Sequence, residues 1–483
     1  MRIVHPLHRR LFDTSVCGAN TLSNPLVKRF DVRLWLHPSL SDELESNLPK
    51  AREQQDRSKA AAGRRRARAA RPQLASAPAR PTQREALLDE AARQFNARGI
   101  AATSVNQVAK RVGLTRAAVY YYVKDSEDLV FQCYLRACQL TADDLAQAHA
   151  HGTDDLERIK EFVRRALTPE RPPAAVVSEI AYLSDAKRAV IEAEHGRNIA
   201  ALESFVRNGI RAGTIRECDA HVTAQAIFGI VSWIVLSPGW VGQGGDAAFA
   251  LRMSEAVVDH LEHGLAAAPA APFLCRIDVK TLVSAPANMF DREHAAAMKV
   301  EQVLETASRL FNERGLDGAS LDQIAAALGA TKGALYHYFS DKRELILRCY
   351  ERSAELDEKM TDLAERSGST GLERGMVGLH LNVQAQVAGP SPLVPLIGFE
   401  SIAPGPRKAL QSRLAQLHRR FTEMGQQGIA DGSNRRCDVD AIALAGAGMF
   451  GWIPKWLPAG ATARRWEIAD QMVDLSRLGL KPR

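Results

Sequence analysis

The sequence predicts an all-α protein that contains two tandem copies of one two-domain unit. Two observations carry this prediction. Apolar residues recur at helical spacing, as Leu321, Ile324 and Leu328 do, and this pattern indicates an amphipathic helix. Residues 85–134 and 301–350 also align with each other without a gap. Because the repeat distance is far longer than the period of a solenoid, the alignment indicates a duplicated domain.

Each copy contains a helix-turn-helix pattern, which is clearest in the second. Its first helix should end at Gly329, because glycine turns easily into the left-handed conformation. Thr331 is placed to cap a second short helix over Lys332–Tyr338. Two short helices joined by a tight glycine turn form a helix-turn-helix, whose second helix lies in the major groove of DNA. The sequence therefore predicts two DNA-reading helices in one chain.

The two copies share residues throughout this pattern, at a constant offset of 216 (311 − 95). The shared pairs include Phe95/Phe311, Gly99/Gly315, Ser104/Ser320, Gln107/Gln323, Gly113/Gly329, Thr115/Thr331, Tyr120/Tyr336, Asp125/Asp341 and Cys133/Cys349. Sparser matches, such as Cys218/Cys437 and Trp233/Trp452, continue behind this region at an offset of 219 (452 − 233). The duplication therefore extends beyond the DNA-reading part.

Both copies resemble the N-terminal DNA-binding domain of the TetR family of bacterial transcriptional regulators. The strings that carry the resemblance are FNARGIAATSVNQVAKRVGLTRAAVYYYVKDSEDL (95–129) and FNERGLDGASLDQIAAALGATKGALYHYFSDKREL (311–345). The resemblance implies a three-helix DNA-binding domain, followed by a larger helical domain that holds a ligand pocket and pairs with a second copy.

Composition and turn signals divide the chain into six segments. We expect a disordered basic tail (1–80), a first DNA-binding domain (81–141), a first helical regulatory domain (142–264), a linker (265–294), a second DNA-binding domain (295–357) and a second regulatory domain (358–483). The tail holds 16 Lys and Arg against 7 Asp and Glu, whereas the other 47 basic and 49 acidic residues nearly cancel. The tail is either a disordered leader or a basic arm that follows DNA phosphates.

Several other classes of protein find no support in the sequence. No apolar run is long enough to span a bilayer and the N-terminus lacks a signal-peptide core, so we expect a cytoplasmic protein with no membrane partner. Cys133 and Cys349 are expected to be buried apolar residues. His260-x-x-His263 lacks a third metal ligand, and the G-x-G-x-x-G run at 446–451 lies in a helical pattern, where we expect close helix packing. We predict no cofactor, no metal and no enzymatic activity.

The residues expected to contact DNA lie in and around the two recognition helices. They are Thr103, Ser104, Thr115, Arg116, Ala117, Tyr120, Tyr121 and Lys124 in the first copy, and Ser320, Thr331, Lys332, Gly333, Tyr336, His337 and Lys342 in the second. Basic side chains suit phosphate or guanine, and aromatic ones suit a thymine methyl or a hydrogen bond. Helix N-termini suit phosphate. Because the outward-facing residues differ between the copies, we predict an asymmetric operator.

In the family that the chain resembles, a homodimer places two recognition helices in successive major grooves of double-stranded operator DNA. Since this chain carries both helices, we predict an intramolecular pairing of the two copies, with a homodimer of the chain as the other arrangement. The predicted function is a sequence-specific transcriptional regulator, a repressor released by a ligand. The alternative is an interaction or scaffold protein in which only one helix-turn-helix copy binds DNA.

The resemblance also implies a small apolar or amphipathic effector. The residues expected to line its pocket, unless they are simply core, are Phe205, Phe228, Trp233, Phe399, Phe450, Trp452 and Trp456. The Trp-x₃-Trp-x-Pro-x-Gly run at 452–460 looks like regulators of lipid or steroid catabolism, which sense acyl-CoA thioesters. An acyl-CoA thioester is therefore one candidate effector.

Overall fold

The computed structural model describes residues 82–241, 245–268, 273–283, 292–394, 402–457 and 464–483, and these residues are helical throughout both copies. The first copy contains α1 (Gln83–Arg98), α2 (Val105–Arg111), α3 (Arg116–Val119), α4 (Ser126–His151), α5 (Asp155–Leu167), α6 (Asp185–Ala212), α7 (Ala220–Leu236), α8 (Pro238–Val241) and α9 (Ala247–His263). The second contains α10 (Arg292–Arg314), α11 (Leu321–Ala327), α12 (Lys332–Tyr336), α13 (Lys342–Ser367), α14 (Gly371–Ala388), α15 (Pro404–Asp431), α16 (Val439–Gly451), α17 (Ile453–Trp456) and α18 (Arg465–Leu478). The predicted all-α class and tandem duplication are confirmed, whereas the predicted disordered tail lies outside the described residues.

The helices α1–α3 and α10–α12 form the two DNA-binding domains, which we call head 1 and head 2. The apolar stripe of α1 is buried in head 1, with Leu87 and Ala91 fully inaccessible to solvent. Gly113 and Gly329 take φ angles of +76° and +64°, as the predicted tight turns require. Thr82 caps α1 by accepting a hydrogen bond from the backbone N–H of Glu85.

One continuous helix joins each head to its regulatory domain. The helices α4 and α13 each contain 26 residues, a length of ~39 Å. Asp125 and Asp341 cap them, and no glycine or proline interrupts either sequence. Both helices therefore run through the limits expected between domains, at 141/142 and 357/358.

The two regulatory domains pack against each other through α7 and α16. Gly229 of α7 and Gly448 of α16 are equivalent in the two copies, and each backbone lies against the other. A Cβ added at Gly448 would lie 2.5 Å from the carbonyl oxygen of Gly229 and 2.7 Å from Cβ of Trp233. The indole Nε1 of Trp233 donates to the carbonyl of Leu444 across the same contact, at 2.8 Å. Gly448, at the centre of the glycine-rich run at 446–451, therefore serves the close helix packing that was predicted for the run.

The glycine that follows α9 and the glycine that follows α18 each accept a hydrogen bond from an arginine of the opposite copy. The guanidinium Nε of Arg216 donates to the carbonyl of Gly479 at 2.6 Å. The equivalent Arg435 donates to the carbonyl of Gly264 at 2.5 Å. Because the same bonds form in both directions, the two copies are related by an approximate two-fold symmetry at this contact.

Part of the predicted linker is packed onto the second copy. Val279 in the short 3-10 helix Val279–Leu282 is fully buried with Met360 and Leu381 of α13 and α14. The amide of Gln384 donates to the carbonyl of Ile277 at 2.9 Å. The brief apolar stretch in an otherwise Pro/Ala-rich segment is therefore a docked element, because burying it covers an apolar face of α13 and α14.

Candidate nucleic-acid interface

Side-chain caps hold the two short helices of each head in place. Ser104 and Ser320 begin α2 and α11 as capping boxes, with each hydroxyl accepting from the backbone N–H of a glutamine at 3.2 Å. Thr115 and Thr331 cap α3 and α12 in the same way. A hydroxyl that accepts a backbone N–H still has its own proton to donate. These capping residues can therefore donate to a phosphate without giving up the cap.

The recognition helices are anchored from below and leave one face in solvent. Val119 of α3 and Leu335 of α12 are buried in the heads. Tyr120 and Tyr336 are each 48% exposed, and Tyr121 is 93% exposed. Exposed tyrosines are unusual unless they meet a partner. The face they occupy, with Arg116 or Lys332, Ala117 or Gly333, and Tyr121 or His337, contains most of the residues predicted to contact DNA.

The second recognition helix is shorter than the sequence predicts. It ends at Tyr336, whereas helix was expected to Tyr338, and the first recognition helix ends at Val119. Val123 and Phe339, which follow the two helices, are buried, and the Tyr122 hydroxyl donates to the side chain of Gln83 at 2.9 Å.

Two predicted contact residues do not face this surface freely. Thr103 is buried, and its hydroxyl donates to the carbonyl of Gly99 at 2.8 Å, which closes the turn before α2. The Lys342 side chain is half-buried, with its Nζ 5.9 Å from the ring centroid of Phe311, and burial lowers its pKa. Lys124 is exposed. The burial of Thr103 and Lys342 could not be predicted from the sequence, because the residue type beside a helix cap does not show whether its side chain points inward or outward.

The two heads carry very different charge on the helix-turn-helix. Residues 104–124 contain four basic residues and no acidic one, a balance of +4, whereas residues 320–340 contain Lys332 and Asp322, a balance of 0. In head 2, Asp322 accepts a hydrogen bond from Lys332 Nζ at 3.0 Å and raises the Lys332 pKa. Head 1 has Asn106 at the equivalent position.

Two basic residues at the end of α2 were missed by the sequence reasoning. Lys110 and Arg111 are both exposed in head 1. The corresponding residues of head 2 are Ala326 and Ala327. Comparing the charges of the aligned residues in the two copies, and not only their identities, would have identified Lys110 and Arg111.

A segment of the first copy, residues 174–184, contacts both heads. The side chain of Asn96 in α1 bonds the backbone of Ala174 and Val176, each at 2.9 Å. The Glu179 carboxylate accepts from the backbone N–H of Ile100 in head 1 at 3.1 Å. Its other side faces Gly315 of head 2, where an added Cβ would lie 3.0 Å from Glu179 Cγ. We call residues 174–184 the connector.

Lys455 of the second copy forms a hydrogen bond with the connector. Its Nζ donates to the carbonyl of Ser178 at 2.6 Å. Burial lowers the pKa of Lys455 to about 8, against the pull of Glu179. Burial likewise raises the pKa of Glu179. The attraction between Lys455 and Glu179 reduces the free-energy cost of burying each charged group. Their hydrogen bonds hold the connector against both copies.

The residues expected to line an effector pocket separate into two spaces. Trp233 and Phe450 line a cavity of about 210 Å³ in the second copy. Phe228 and Trp452 line a void of about 70 Å³ in the first copy. Phe205 packs in the core against His149, with ring centroids 6.0 Å apart. Trp456 packs at the edge of the core, and Phe399 lies outside the described residues.

His260, Cys133 and Cys349, which the sequence singled out for other chemistry, are all buried. In the described part of the chain, no group of three or more His, Cys, Asp or Glu side chains is placed to hold a metal ion. His260 is buried against Ser476, at 3.3 Å, and its pKa is lowered by burial to about 4. Cys133 and Cys349 are buried as predicted, which raises both thiol pKa values to about 12. Among the helices described, none is long and apolar enough to cross a bilayer.

Comparison with known proteins matches both halves of the chain. Residues 87–133 and 303–349 match the family described as bacterial regulatory proteins, tetR family. Residues 152–261 and 392–480 match the tetracyclin repressor-like C-terminal domain. Together these matches cover more than half of the chain.

Individual relatives match over shorter stretches. The chain is 35% identical over 85 residues to the HTH-type transcriptional repressor Rv1474c of Mycobacterium tuberculosis, covering 18% of this chain and 43% of the relative. It is 32% identical over 77 residues to the HTH-type transcriptional repressor AcnR of Corynebacterium glutamicum, covering 16% and 39%. The chain thus spans about two fifths of the length of these curated relatives.

Solved structures of similar regulators each cover a little over a third of the chain. PfmR from Thermus thermophilus is 24% identical, with a TM-score of 0.32, over 36% of this chain and 96% of its own. KstR2 of Mycobacterium tuberculosis is 20% identical, with a TM-score of 0.33, over 38% and 96%. With the two matched pairs of domains, the chain belongs to the TetR family of DNA-binding transcriptional regulators and carries the family's two-domain unit twice.

Proposed function

We propose that this regulator acts as a single-chain pseudo-dimer, in which head 1 and head 2 of one chain contact one operator. The contact of Gly229 with Gly448 is the observation that carries the proposal. It joins the two regulatory domains through equivalent helices. The hydrogen bonds that Arg216 and Arg435 donate to the opposite copy are likewise equivalent to each other. A dimer interface of this kind is self-complementary, with the same patch used on both sides. One chain therefore supplies both halves.

In this proposal the domain limits are those predicted from the sequence, with α4 and α13 shared across them. Arg116 and Lys332 contact phosphate or guanine at the start of each recognition helix. Tyr120 and Tyr336 contact bases in equivalent positions. The remaining exposed pair, Tyr121 and His337, differs between the heads, so the two half-sites differ in sequence.

Ser104, Ser320, Thr115 and Thr331 contact phosphates from the helix N-termini, where backbone N–H groups converge. Lys124 contacts the flanking backbone of the first half-site. Ala117 and Gly333 have little side chain, which lets the DNA approach each recognition helix. These contacts fix the register of each head on DNA, while the aromatic residues read the sequence.

We further propose that the protein is a repressor released by a small apolar effector. The relatives Rv1474c and AcnR are named as repressors, which supports this direction of control. The helix α13 begins with Lys342 beside the recognition helix of head 2, and its residues Asp357 and Thr361 line the cavity. A ligand that prefers a different position of α13 would shift head 2 relative to head 1 and weaken operator binding.

One observation favours a second candidate function, in which only head 1 binds DNA. Phosphate attraction supplies a large share of the affinity of most DNA-binding proteins. Head 1 carries a helix-turn-helix charge of +4 and head 2 a charge of 0. Head 2 would then have a structural role in an interaction protein.

Selection of binding sites from random double-stranded DNA, followed by footprinting, separates the two candidates. The pseudo-dimer predicts two unequal half-sites whose centres lie about 34–36 Å apart, one helical turn. A single protected half-site would support the second candidate. A perfect palindrome would contradict the assignment of two different readers to one operator.

A further inference from the structure

The second copy contains a cavity bounded by α13, α14, α15 and α16, with Trp233 of α7 contributing to its wall. Its volume is about 210 Å³, and its wall is largely apolar, with Trp233, Phe421 and Phe450 among the lining residues. Sites for drug-sized ligands usually measure ~300–1,000 Å³. The cavity therefore suits a small molecule with an apolar body.

The corresponding space in the first copy is filled by rings. Phe162 and Phe228 stack with their centroids 6.1 Å apart, and His195 meets Phe228 edge-on at 5.1 Å. The equivalent residues of the second copy are Gly378 in place of Phe162 and Ala447 in place of Phe228. The Phe421 ring lies over Gly378, and the side chain at Ala447 leaves the position of the Phe228 ring open. The void that remains in the first copy is about 70 Å³. The position in the first copy that corresponds to the cavity of the second copy is therefore much smaller.

One carboxylate lines the cavity of the second copy. Asp357 lies on the α13 wall, where the first copy has Thr141. In the described part of the chain, no hydrogen bond or ion pair holds its carboxylate. Arg413 attracts Asp357 from nearby, but its guanidinium is engaged by Glu358 in two hydrogen bonds of 2.8 and 2.7 Å.

The imidazole in the wall also has a partner. The imidazole Nε2 of His418 lies 2.8 Å from a carboxylate oxygen of Asp440. Above the pKa of Asp357, its ionised carboxylate would repel an anionic group in the cavity, because Arg413 and His418 are engaged by Glu358 and Asp440. A cationic group would instead donate a charge-assisted hydrogen bond to the Asp357 carboxylate and lie against the faces of the surrounding aromatic rings.

We propose that the chain binds one effector, in the second copy only, and that this effector is a small apolar molecule bearing a protonated amine that Asp357 binds. This inference rests on the proposed function, because it names the ligand that would release the operator. It also disfavours placing the anionic parts of an acyl-CoA thioester inside this cavity.

Isothermal titration calorimetry on the full chain, without DNA, tests the proposal. The probes are 2-phenylethylamine, the neutral 2-phenylethanol and the anionic 3-phenylpropanoate. We expect the amine to bind at one site per chain, at least tenfold more tightly than the other two. Two sites per chain, preference for the carboxylate, or no binding of the amine would overturn the proposal.

Two variants locate the site. Asp357→Asn should weaken amine binding at least tenfold while changing the binding of the alcohol little. Ala447→Phe, which introduces the ring of the first copy, should abolish binding, whereas the reciprocal Phe228→Ala should not. Thermal unfolding monitors whether each variant is folded, and if Ala447→Phe fails to fold, Asp357→Asn alone decides. Unchanged amine binding in Asp357→Asn would overturn the assignment.

Operator binding by the wild-type chain, measured in parallel, keeps this proposal separate from the proposed function. Amine binding at one site together with no DNA binding would contradict the regulator proposal and leave the ligand site in place. DNA binding with no amine binding would contradict the ligand site and leave the regulator proposal in place.

Discussion

Gly229 and Gly448, which lie 219 residues apart at equivalent positions of the two copies, pack backbone to backbone where α7 crosses α16. Such a close approach requires glycine on both helices, because a Cβ on either would meet the backbone of the other. Each glycine precedes, by four residues, a tryptophan that packs over its partner: Trp233 and Trp452. The duplicated sequence therefore completes its interface within one chain.

The first prediction concerns this crossing. Gly448→Ala should lower the free energy of unfolding by ~1–3 kcal/mol, because the added methyl overpacks the contact with Gly229. Gly196→Ala is the matched control, since a Cβ there meets nothing within 4 Å and alanine should stabilise α6 by ~0.5–1 kcal/mol. Thermal unfolding measures both. Equal Tm values for the two variants would contradict the packing.

A second prediction follows from the unequal charge of the heads. Arg116→Ala should weaken operator binding more than Lys332→Ala, because Lys332 already pairs with Asp322. Removing a phosphate contact should also reduce the slope of log K against log salt by ~0.9. Binding titrations at several salt concentrations measure both effects. Arg207→Ala, which removes an exposed charge from α6, is the control and should leave the slope unchanged.

A third prediction concerns Asp322. Asp322→Asn should tighten operator binding several-fold, because it releases Lys332 and removes a negative charge from the face that meets phosphate. The reciprocal change in head 1, Asn106→Asp, should weaken binding. Titrations with both variants at one salt concentration test the pair. Two changes in the same direction would show that the charge of this position does not act through DNA.

The connector supports a fourth prediction. Glu179→Ala removes the acceptor of the Ile100 N–H and the charge that faces Lys455, and should lower the free energy of unfolding by ~1–3 kcal/mol. It should also relax discrimination between operators whose half-sites are moved apart by one base pair. Glu179→Gln retains an acceptor and should keep more of both properties. Unchanged spacing preference in Glu179→Ala would mean that the connector does not set the distance between heads.

The fifth prediction is a pH dependence of stability. Burial, with a smaller effect from Glu358, raises the pKa of Asp357 to about 7, against ~4 in an unfolded chain. The folded protein therefore keeps a proton that the unfolded chain has released, and the stability this provides is lost as the pH rises towards 7.

Asp357→Asn lacks this titration. Its Tm relative to wild type should therefore rise between pH 5 and pH 8. The neighbouring groups Glu358, Arg413 and His418 are present in both proteins, so their own titration largely cancels in the comparison. A difference in Tm that stays constant over this range would contradict the raised pKa.

Sequence patterns predicted the elements that depend on neighbours along the chain. The helical spacing of Leu321 and Ile324, the left-handed turns at Gly113 and Gly329, and the cap at Thr331 are all confirmed. Each follows from residue spacing or from backbone conformation, which a short stretch of sequence specifies.

Features that depend on distant residues could not be predicted in this way. The inward position of Thr103, the partner of Lys332 and the contact of Glu179 with both heads all require the packed structure. The cavity is a further case. The cavity depends on which side chains face each other across the helices. The aromatic residues of the sequence do not by themselves show this.

The molar mass of the protein on its selected operator, measured by light scattering at stated salt, tests the central claim most directly. The single-chain pseudo-dimer predicts one chain per operator, with both half-sites protected by that chain. Two chains on an operator of two half-sites would contradict it, because each chain would then use only one of its heads.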